Sequence, residues 1–427
     1  MAGPTPHDPE EPGPAAGDGP ADTRLRRGDA GYRRLSVAMF AAGLATFALL
    51  YTTQPLLPLL SRELQVSAAT SSLTLSATTL GLALALLPAG WLSDAWGRTR
   101  VMKLSLLGSA VLILLAAAAP SFPVLLAVRA LQGVALAGLP AVAMAYLVEE
   151  VHPESLGSSI GLYIGGNAIG GMAGRLVGGA FADLGGWRLS LLAVGVSSLA
   201  CTAVFLRLAP TSRHFVPRPF HVRPALARLR DHLRDPGQLR LDAMAALLMG
   251  TFVAVFNGLS FRLEEAPYGL GQTAIAAVFL VYPLGSLSSA VAGRLADRIG
   301  RRAVLPFGVL IAGAGLALTL LHPLPLVILG IAVLTIGFFA AHSVASSWVG
   351  RRAVHAPAQA SALYLLAYYA GSSIAGPLGG AAWEAGGWTE VVTVGAVLLG
   401  LALVVSLRLR GTPPLRRAAE YEPPVPV

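Results

Sequence analysis

Three side chains in this sequence could carry ionic chemistry where water is scarce. Arg129 and Arg175 each fall inside a long apolar run, and His342 sits at the centre of a third. A guanidinium keeps its charge and presents five N–H donors in a fixed plane, which suits anions and backbone carbonyls. An imidazole can exchange a proton near neutral pH. Ionisable groups inside apolar spans are costly to bury, which makes all three functional candidates. Carboxylates are absent from the middle of every run. Asp94, Asp297, Glu149, Glu150, Glu154 and Asp242 fall toward one end of the runs, and Glu63, Asp183, Glu264, Glu265, Glu384 and Glu390 toward the other. Of these, Glu264, beside Arg262, is a second proton-coupling candidate after His342. The eight histidines include no metal-spaced pair on one helix, and the single Cys201 excludes an intramolecular disulfide. The expectation is no metal, no cofactor and no enzyme.

The elements that position these residues must be membrane helices. Hydrophobic residues make up 55% of the 427 and charged residues only 12%, with a mean hydropathy of +0.66, which cannot make an ordinary soluble surface. Spans of roughly 20 apolar residues fit about twelve times between Ser36 and Leu409. They fall near 36–60, 69–91, 101–119, 122–146, 156–184 and 187–208, then 241–261, 272–293, 303–321, 324–347, 357–384 and 387–408. Residues 1–35 form an N-terminal tail, polar and Pro/Gly-rich up to about residue 30, that should be disordered. Residues 36–209 and 241–409 form two halves, 210–240 a linker and 410–427 a C-terminal tail. Within the linker, Pro224 to Arg234 places Leu226, Leu229 and Leu233 on one stripe among arginines. That pattern suits a helix lying on an anionic membrane surface, or simply a solvated linker.

The net charge of +9 is a matter of topology and gives no reason to expect nucleic acid. Arg62, Arg188 and Arg262 lie on one side, and Arg129 and Arg175 lie inside spans. Every other one of the 31 basic residues falls on the opposite side. The side rich in Lys and Arg is the cytoplasmic one, so both termini are expected there.

One stretch occurs twice. Gly90-Trp-Leu-Ser-Asp94-Ala-Trp-Gly97-Arg98 returns as Gly293-Arg-Leu-Ala-Asp297-Arg-Ile-Gly300-Arg301, displaced by 293 − 90 = 203 residues. Gly178-Gly179 and Gly185-Gly186-Trp187 return as Gly379-Gly380 and Gly386-Gly387-Trp388. The chain reads as one unit used twice.

Both copies of the first stretch resemble the signature between helices two and three of the major facilitator superfamily. The resemblance spans about residues 36–409. It implies an all-α integral membrane fold of twelve transmembrane helices in two six-helix bundles, with solute bound between the bundles near the midplane. On that topology Asp94 ends the second span where the eleventh begins. A carboxylate there meets unsatisfied N–H groups and the positive end of a helix dipole, and would hold that side shut. Asp297 would do the same toward the fifth span. Gly90, Asp94, Gly97, Arg98, Gly293, Asp297, Gly300 and Arg301 are the gating candidates.

Arg129-Ala-Leu-Gln132-Gly133 resembles the superfamily's RxxQG motif, which is associated with proton coupling in exporters. A tie from Arg129 to backbone carbonyls and Gln132 is the alternative. The fifth span, Gly165-Gly166-Asn167 through Gly178-Gly179, is similar to the antiporter motif of the drug:proton antiporter-1 branch. It departs from that motif by placing Arg175 where proline is expected. Glycines at this spacing also permit close packing on their own.

Together with Tyr51-Thr-Thr-Gln54-Pro55, these stretches resemble the arabinose-efflux-like permeases of that branch. The resemblance implies a cavity touched by Tyr51, Gln54, Asn167, Arg175, Asn257, Tyr282, Phe338, His342, Tyr364 and Tyr368. It implies a monomer of the bacterial inner membrane that exports a small molecule against protons. A symporter importing a sugar or organic anion is the alternative, and a membrane sensor is disfavoured by the lack of any sizeable soluble stretch.

Overall fold

The structure, a computed structural model, describes residues 23–217, 222–353 and 356–412. Its regular elements are helices: α1 (Ala30–Tyr51), α2 (Leu57–Leu64), α3 (Ala68–Trp96), α4 (Arg98–Ala117), α5 (Phe122–Leu136), α6 (Gly138–Glu150) and α7 (Pro153–Leu208) in the first half. A linker helix α8 (Val222–Arg234) follows. The second half holds α9 (Pro236–Glu264), α10 (Gln272–Ala277), a 3-10 turn (Val278–Val281), α11 (Tyr282–Ile299), α12 (Arg301–Leu318), α13 (Leu324–Arg352) and α14 (Pro357–Arg410).

Among the described residues, ten helical stretches are long and apolar enough to cross a membrane. Two of them, α7 with 56 residues and α14 with 54, would reach about 80 Å at 1.5 Å per residue, far beyond a hydrocarbon core of about 30 Å. Both bend at a glycine pair. Gly186 has φ 73° and Gly387 φ 66°, a left-handed conformation that favours residues without a Cβ. Each therefore makes two crossings, and the fold is the twelve-span pattern expected. The hinges repeat this economy: Gly97 (φ 100°) and Gly300 (φ 91°) turn α3 into α4 and α11 into α12.

The structure corrects several boundaries. The first span is not one helix from 36 to 60. It starts at Ala30, stops at Tyr51 and resumes as α2 at Leu57. Pro55 lacks an N–H and disfavours helical geometry in the residue before it. Residues 23–29 are ordered, with Leu25 N donating to Glu150 O (2.9 Å) and His152 N to Leu25 O (3.0 Å); residues 1–22 and 413–427 lie outside the described part. The linker holds the expected helix, slightly longer, and ends at Asp235, because Pro236 already opens α9.

Within each half a glycine ladder brings two helices into backbone contact. A Cβ on Gly166, Gly170 or Gly174 of α7 would strike the backbone of Phe40, Leu44 or Ala48 of α1, and one on Gly371 or Gly379 of α14 would strike Ala246 or Ala254 of α9. Among lipid tails such van der Waals packing takes over the role of hydrophobic burial. Large apolar side chains face outward instead, among them Leu84, Leu131, Leu287 and Val397.

Candidate functional site

The middle of the molecule is organised by Arg175, only 1% exposed. The break after α1 leaves Gln54 out of helical register, where its side chain can reach two neighbours. Arg175 Nε and Nη2 both donate to Gln54 Oε1 (2.9 and 2.6 Å), and Nη1 donates to Gly171 O (2.7 Å). Gln54 Nε2 then donates to Asn257 Oδ1 of α9 (3.1 Å), across the two halves. Gln54 and Asn257 stand 257 − 54 = 203 positions apart, the repeat offset, so equivalent positions of the two halves meet. The guanidinium lies over the rings of Tyr51 (4.4 Å), Phe279 (4.4 Å) and Tyr282 (5.0 Å), whose π-faces attract a cation.

A chain of rings runs from this centre toward the hinge side. Tyr282 touches Phe252 (5.9 Å between centroids), Phe252 stacks on Phe338 (4.2 Å) and Phe338 on His342 (5.8 Å). His342 Nδ1 is hydrogen-bonded to the Tyr364 hydroxyl (3.0 Å), and its ring packs on Tyr368 (4.9 Å). Nine of the ten cavity residues named from sequence thus form one connected group. Asn167 is the exception. It sits two turns from Arg175 along α7, with its Oδ1 against Gly43 of α1.

Arg129 belongs to the frame. Entirely buried, it donates to the carbonyls of Leu49 (3.1 Å), Leu50 (3.1 Å) and Thr74 (3.3 Å) and to Gln132 Oε1 (2.5 Å). The carbonyls of the last turn of α1 have no partner within the helix because the chain breaks at Thr52. Arg129 fills that role and ties α1, α3 and α5 together. Of the two sequence readings of this motif, the geometry displays the carbonyl tie.

The halves meet on the side opposite the hinges. Just before the kink of α7, Asp183 accepts from Gln272 N (2.9 Å), Thr273 N (2.9 Å) and Thr273 Oγ1 (2.6 Å) at the start of α10. Just before the corresponding kink of α14, Glu384 accepts from Ala69 N (3.1 Å) at the start of α3. The offset 384 − 183 = 201 matches that of the neighbouring glycine pairs, so the two acids are counterparts. Sequence reasoning missed them, although their position beside the repeated glycines was visible. Gly179 and Gly380 make the contact possible: a Cβ on either would lie 2.6 Å from the facing backbone, Gln272 O or Ala68 O. Glu264 belongs here too, paired with Arg62 (2.5 Å) and Gln272 (2.8 Å), which places it in the closure and away from the central group. Among the described residues the deepest hydrogen bond between the halves joins Thr79 and Ser373 (2.7 Å).

On the hinge side the halves stand apart among the described residues. Asp94 does not reach the start of α14. Arg98 binds it (2.5 Å) together with Glu149 (2.8 Å) of the same half, and Asp297 pairs with Arg301 and Arg351 (3.3 Å each). Nothing lies within 4 Å of a Cβ built on Gly90 or Gly293. Asp242, which the sequence places toward one end of a run, is buried in α9 and accepts from Gln238 Nε2 (2.7 Å).

Two helical halves, joined around a polar centre and closed at one end only, define a membrane transporter. The chain belongs to the Major Facilitator Superfamily, whose description matches residues 35–288 and 264–426. It is 45% identical to the MFS-type transporter YybF of Bacillus subtilis (strain 168) over 90% of this chain and 95% of the relative. It is 46% identical to the inner membrane transport protein YnfM of Escherichia coli (strain K12), over 90% and 92%. Among solved structures, a bacterial homolog of the human lysosomal transporter Spinster, inward-facing and occupied, superposes with a TM-score of 0.75 at 17% identity, covering 90% of this chain and 98% of that one. The peptide transporter POT superposes at 0.71 with 14% identity, covering 88% and 93%.

Proposed function

We propose that this protein is a monomeric secondary transporter of a bacterial inner membrane, working by alternating access and exporting a small organic solute in exchange for protons. The observation that carries this reading is the one-sided closure. Among the described residues, hydrogen bonds between the halves run from the far side to Thr79–Ser373 and stop, leaving the His342 end of the central group toward the open side. Arginine-rich segments mark the open side as cytoplasmic, and the closed side is then the outer one. The twin hinges take over when the bundles rock. Asp94 and Asp297 then reach the first turns of the opposite bundle, and the Asp183 and Glu384 contacts break.

His342 is the proton-carrying group in this reading. It is a titratable side chain between Phe338 and Tyr368, with the Tyr364 hydroxyl as its hydrogen-bond partner. Proteoliposomes holding a pH-sensitive dye, given an imposed proton gradient, test the proposal with a lipophilic cation, a neutral sugar and a small organic acid in turn. Proton efflux linked to solute entry supports exchange, and His342→Ala should uncouple it. Solute and protons moving in the same direction would replace export by import, and solute movement without protons would remove the coupling proposal.

A further inference from the structure

We propose that the transported solute is a small organic acid with an aromatic or similarly flat body, and that Arg175 is the residue that selects its negative charge. This deepens the transporter reading and rests on it. The argument begins with what Arg175 lacks. Among the described residues no carboxylate pairs with it, and Asp183, the nearest acid along α7, is two turns away and committed to α10. A permanently charged fork held in an apolar interior without a counter-ion favours an anion and disfavours a cation.

The surrounding hydrogen bonds point the same way. Arg175 can only donate, so Gln54 must turn its oxygen toward it and its amide nitrogen toward Asn257. Asn257 must then accept with Oδ1, which turns its own NH2 away, toward Gly376 and Ser76. That NH2 and the Ser76 hydroxyl have no hydrogen-bond partner, although both residues are more than nine-tenths buried. A Cβ built on Gly376 would lie 3.2 Å from Asn257 Nδ2 and 3.0 Å from Ser76 Oγ, so the two groups flank the same point. One arginine thus orders a chain of amides that ends in a surplus of donors. A ligand that brings acceptors and negative charge satisfies it, and a ligand that brings donors does not.

Symmetry adds a further argument. At the repeat offset of the glycine pairs, Arg175 corresponds to Gly376 (376 − 175 = 201). The charge is present in one half only, as a binding determinant can be, whereas the closure acids occur in both. The rings of Phe279 and Tyr282 that cover the guanidinium come from the other half. Displacement of these rings exposes the fork to a carboxylate, while the remaining rings of the group offer faces for a flat body.

The test uses the purified full-length protein in detergent with matched probes: benzoate and indole-3-carboxylate, their amides, and phenyltrimethylammonium, read by calorimetry. The acids should bind roughly tenfold or more tightly than the amides, as charge-assisted pairing to Arg implies, with the cation weakest. Arg175→Gln should bring acid and amide to the same affinity. Should that variant fail to fold, Arg175→Lys decides, because loss of the fork should weaken acid binding while keeping acids ahead of amides. Acids that bind no better than their amides or the cation, an acid preference that survives Arg175→Gln, or an acid affinity unchanged in Arg175→Lys would each overturn the proposal. Binding is read without a gradient, so the two readings fail separately. A protein that binds acids and moves nothing retires the transporter mechanism, and one that moves only cations retires the anion site.

Discussion

The closure on the side opposite the hinges, the outer side in the proposed topology, makes the sharpest quantitative prediction. Asp183→Asn removes a negative charge that faces two backbone N–H groups and a hydroxyl at the start of α10. Hydrogen bonds to a charged group contribute about 1.5–3 kcal/mol net, and a carboxylate at a helix N-terminus adds about 0.3–1 kcal/mol at an exposed site such as this one. An asparagine retains one acceptor, so about 2 kcal/mol of closed-state stability should be lost. Glu384→Gln weakens a single bond at an exposed site and should cost about 1 kcal/mol. The two sites lie on different helix pairs, so the effects should add. At about 1.4 kcal/mol per factor of ten, about 3 kcal/mol shifts the closed-to-open ratio roughly a hundredfold.

Spin labels can read this shift in a Cys201→Ser background. Ser121→Cys with His322→Cys reports the outer side, since both residues are exposed there and belong to different halves. Gly157→Cys with Gly350→Cys reports the hinge side, where a Cβ meets open space at both positions. The double variant should lengthen the outer distance and shorten the hinge-side distance. A folded double variant whose outer distance distribution matches the parent would refute the reasoning, because the twinned acids would then contribute nothing to the closure.

Four further outcomes are expected. Asp94→Asn should leave the present conformation intact and remove a contact of the opposite one, so the same label pairs should move in the reverse direction. Arg129→Ala leaves three buried carbonyls and Gln132 without their donor, and at the low end of the cost per orphaned group, about 1 kcal/mol each, it should cost about 4 kcal/mol, seen as a large fall in thermal stability. Gly380→Leu places a branched side chain against the backbone of Ala68 and Ala69, so it should hold the outer side open while the helices themselves persist by circular dichroism. Asp235 caps α9 and pairs with Arg352 (2.6 Å). Burial works against its ionisation, but the Arg352 pair and the Gly237 and Gln238 N–H groups outweigh it and hold the carboxyl below its usual range. Its folded-state pKa is depressed, so its contribution to stability is fully present above about pH 4, the ordinary aspartate value, and is lost as pH falls through the lower folded value. Asp235→Asn should therefore flatten the acid limb of a thermal-stability profile.

Much of the architecture was legible because the membrane restricts the menu. Only helices satisfy their own backbone in hydrocarbon, so apolar length alone placed most spans to within a few residues. The repeat was legible because glycine spacing records backbone geometry: Gly97 and Gly300 share a positive φ, and so do Gly186 and Gly387. What stayed hidden depends on partners brought together by tertiary packing. Pro55 lies inside a span read as continuous from 36 to 60, and although a tie of Arg129 to backbone carbonyls was one reading, nothing in the sequence showed that those carbonyls end the helix before Pro55. Glu264 was visible as an acid near the end of a span, but its pairing with Arg62 requires the other half to be docked. Asn167 shares a helix with Arg175, and only the packing of α7 on α1 shows that it faces Gly43 instead of the centre.

The two halves differ where function would require them to. Devices that move the molecule are duplicated: hinge glycines and aspartates, kink glycines, closure acids and the glycines beneath them. A rocking motion about a pseudo-twofold axis needs matching contacts on both flanks, or one flank would open before the other. Binding a single asymmetric solute imposes no such need. There the copies diverge, with Arg175 against Gly376 and Gln54 against Asn257. The Gln54–Asn257 bond is the one described place where moving parts and binding parts coincide, since it joins the halves and is oriented by Arg175. Occupation of Arg175 by an acid frees Gln54 Oε1 from its two donors, and the amide chain that braces the closed state loses its anchor. Solute binding and outer opening are thereby linked through one side chain, and Gln54→Ala should separate them, leaving acid binding in place while the outer label distance no longer responds to acid.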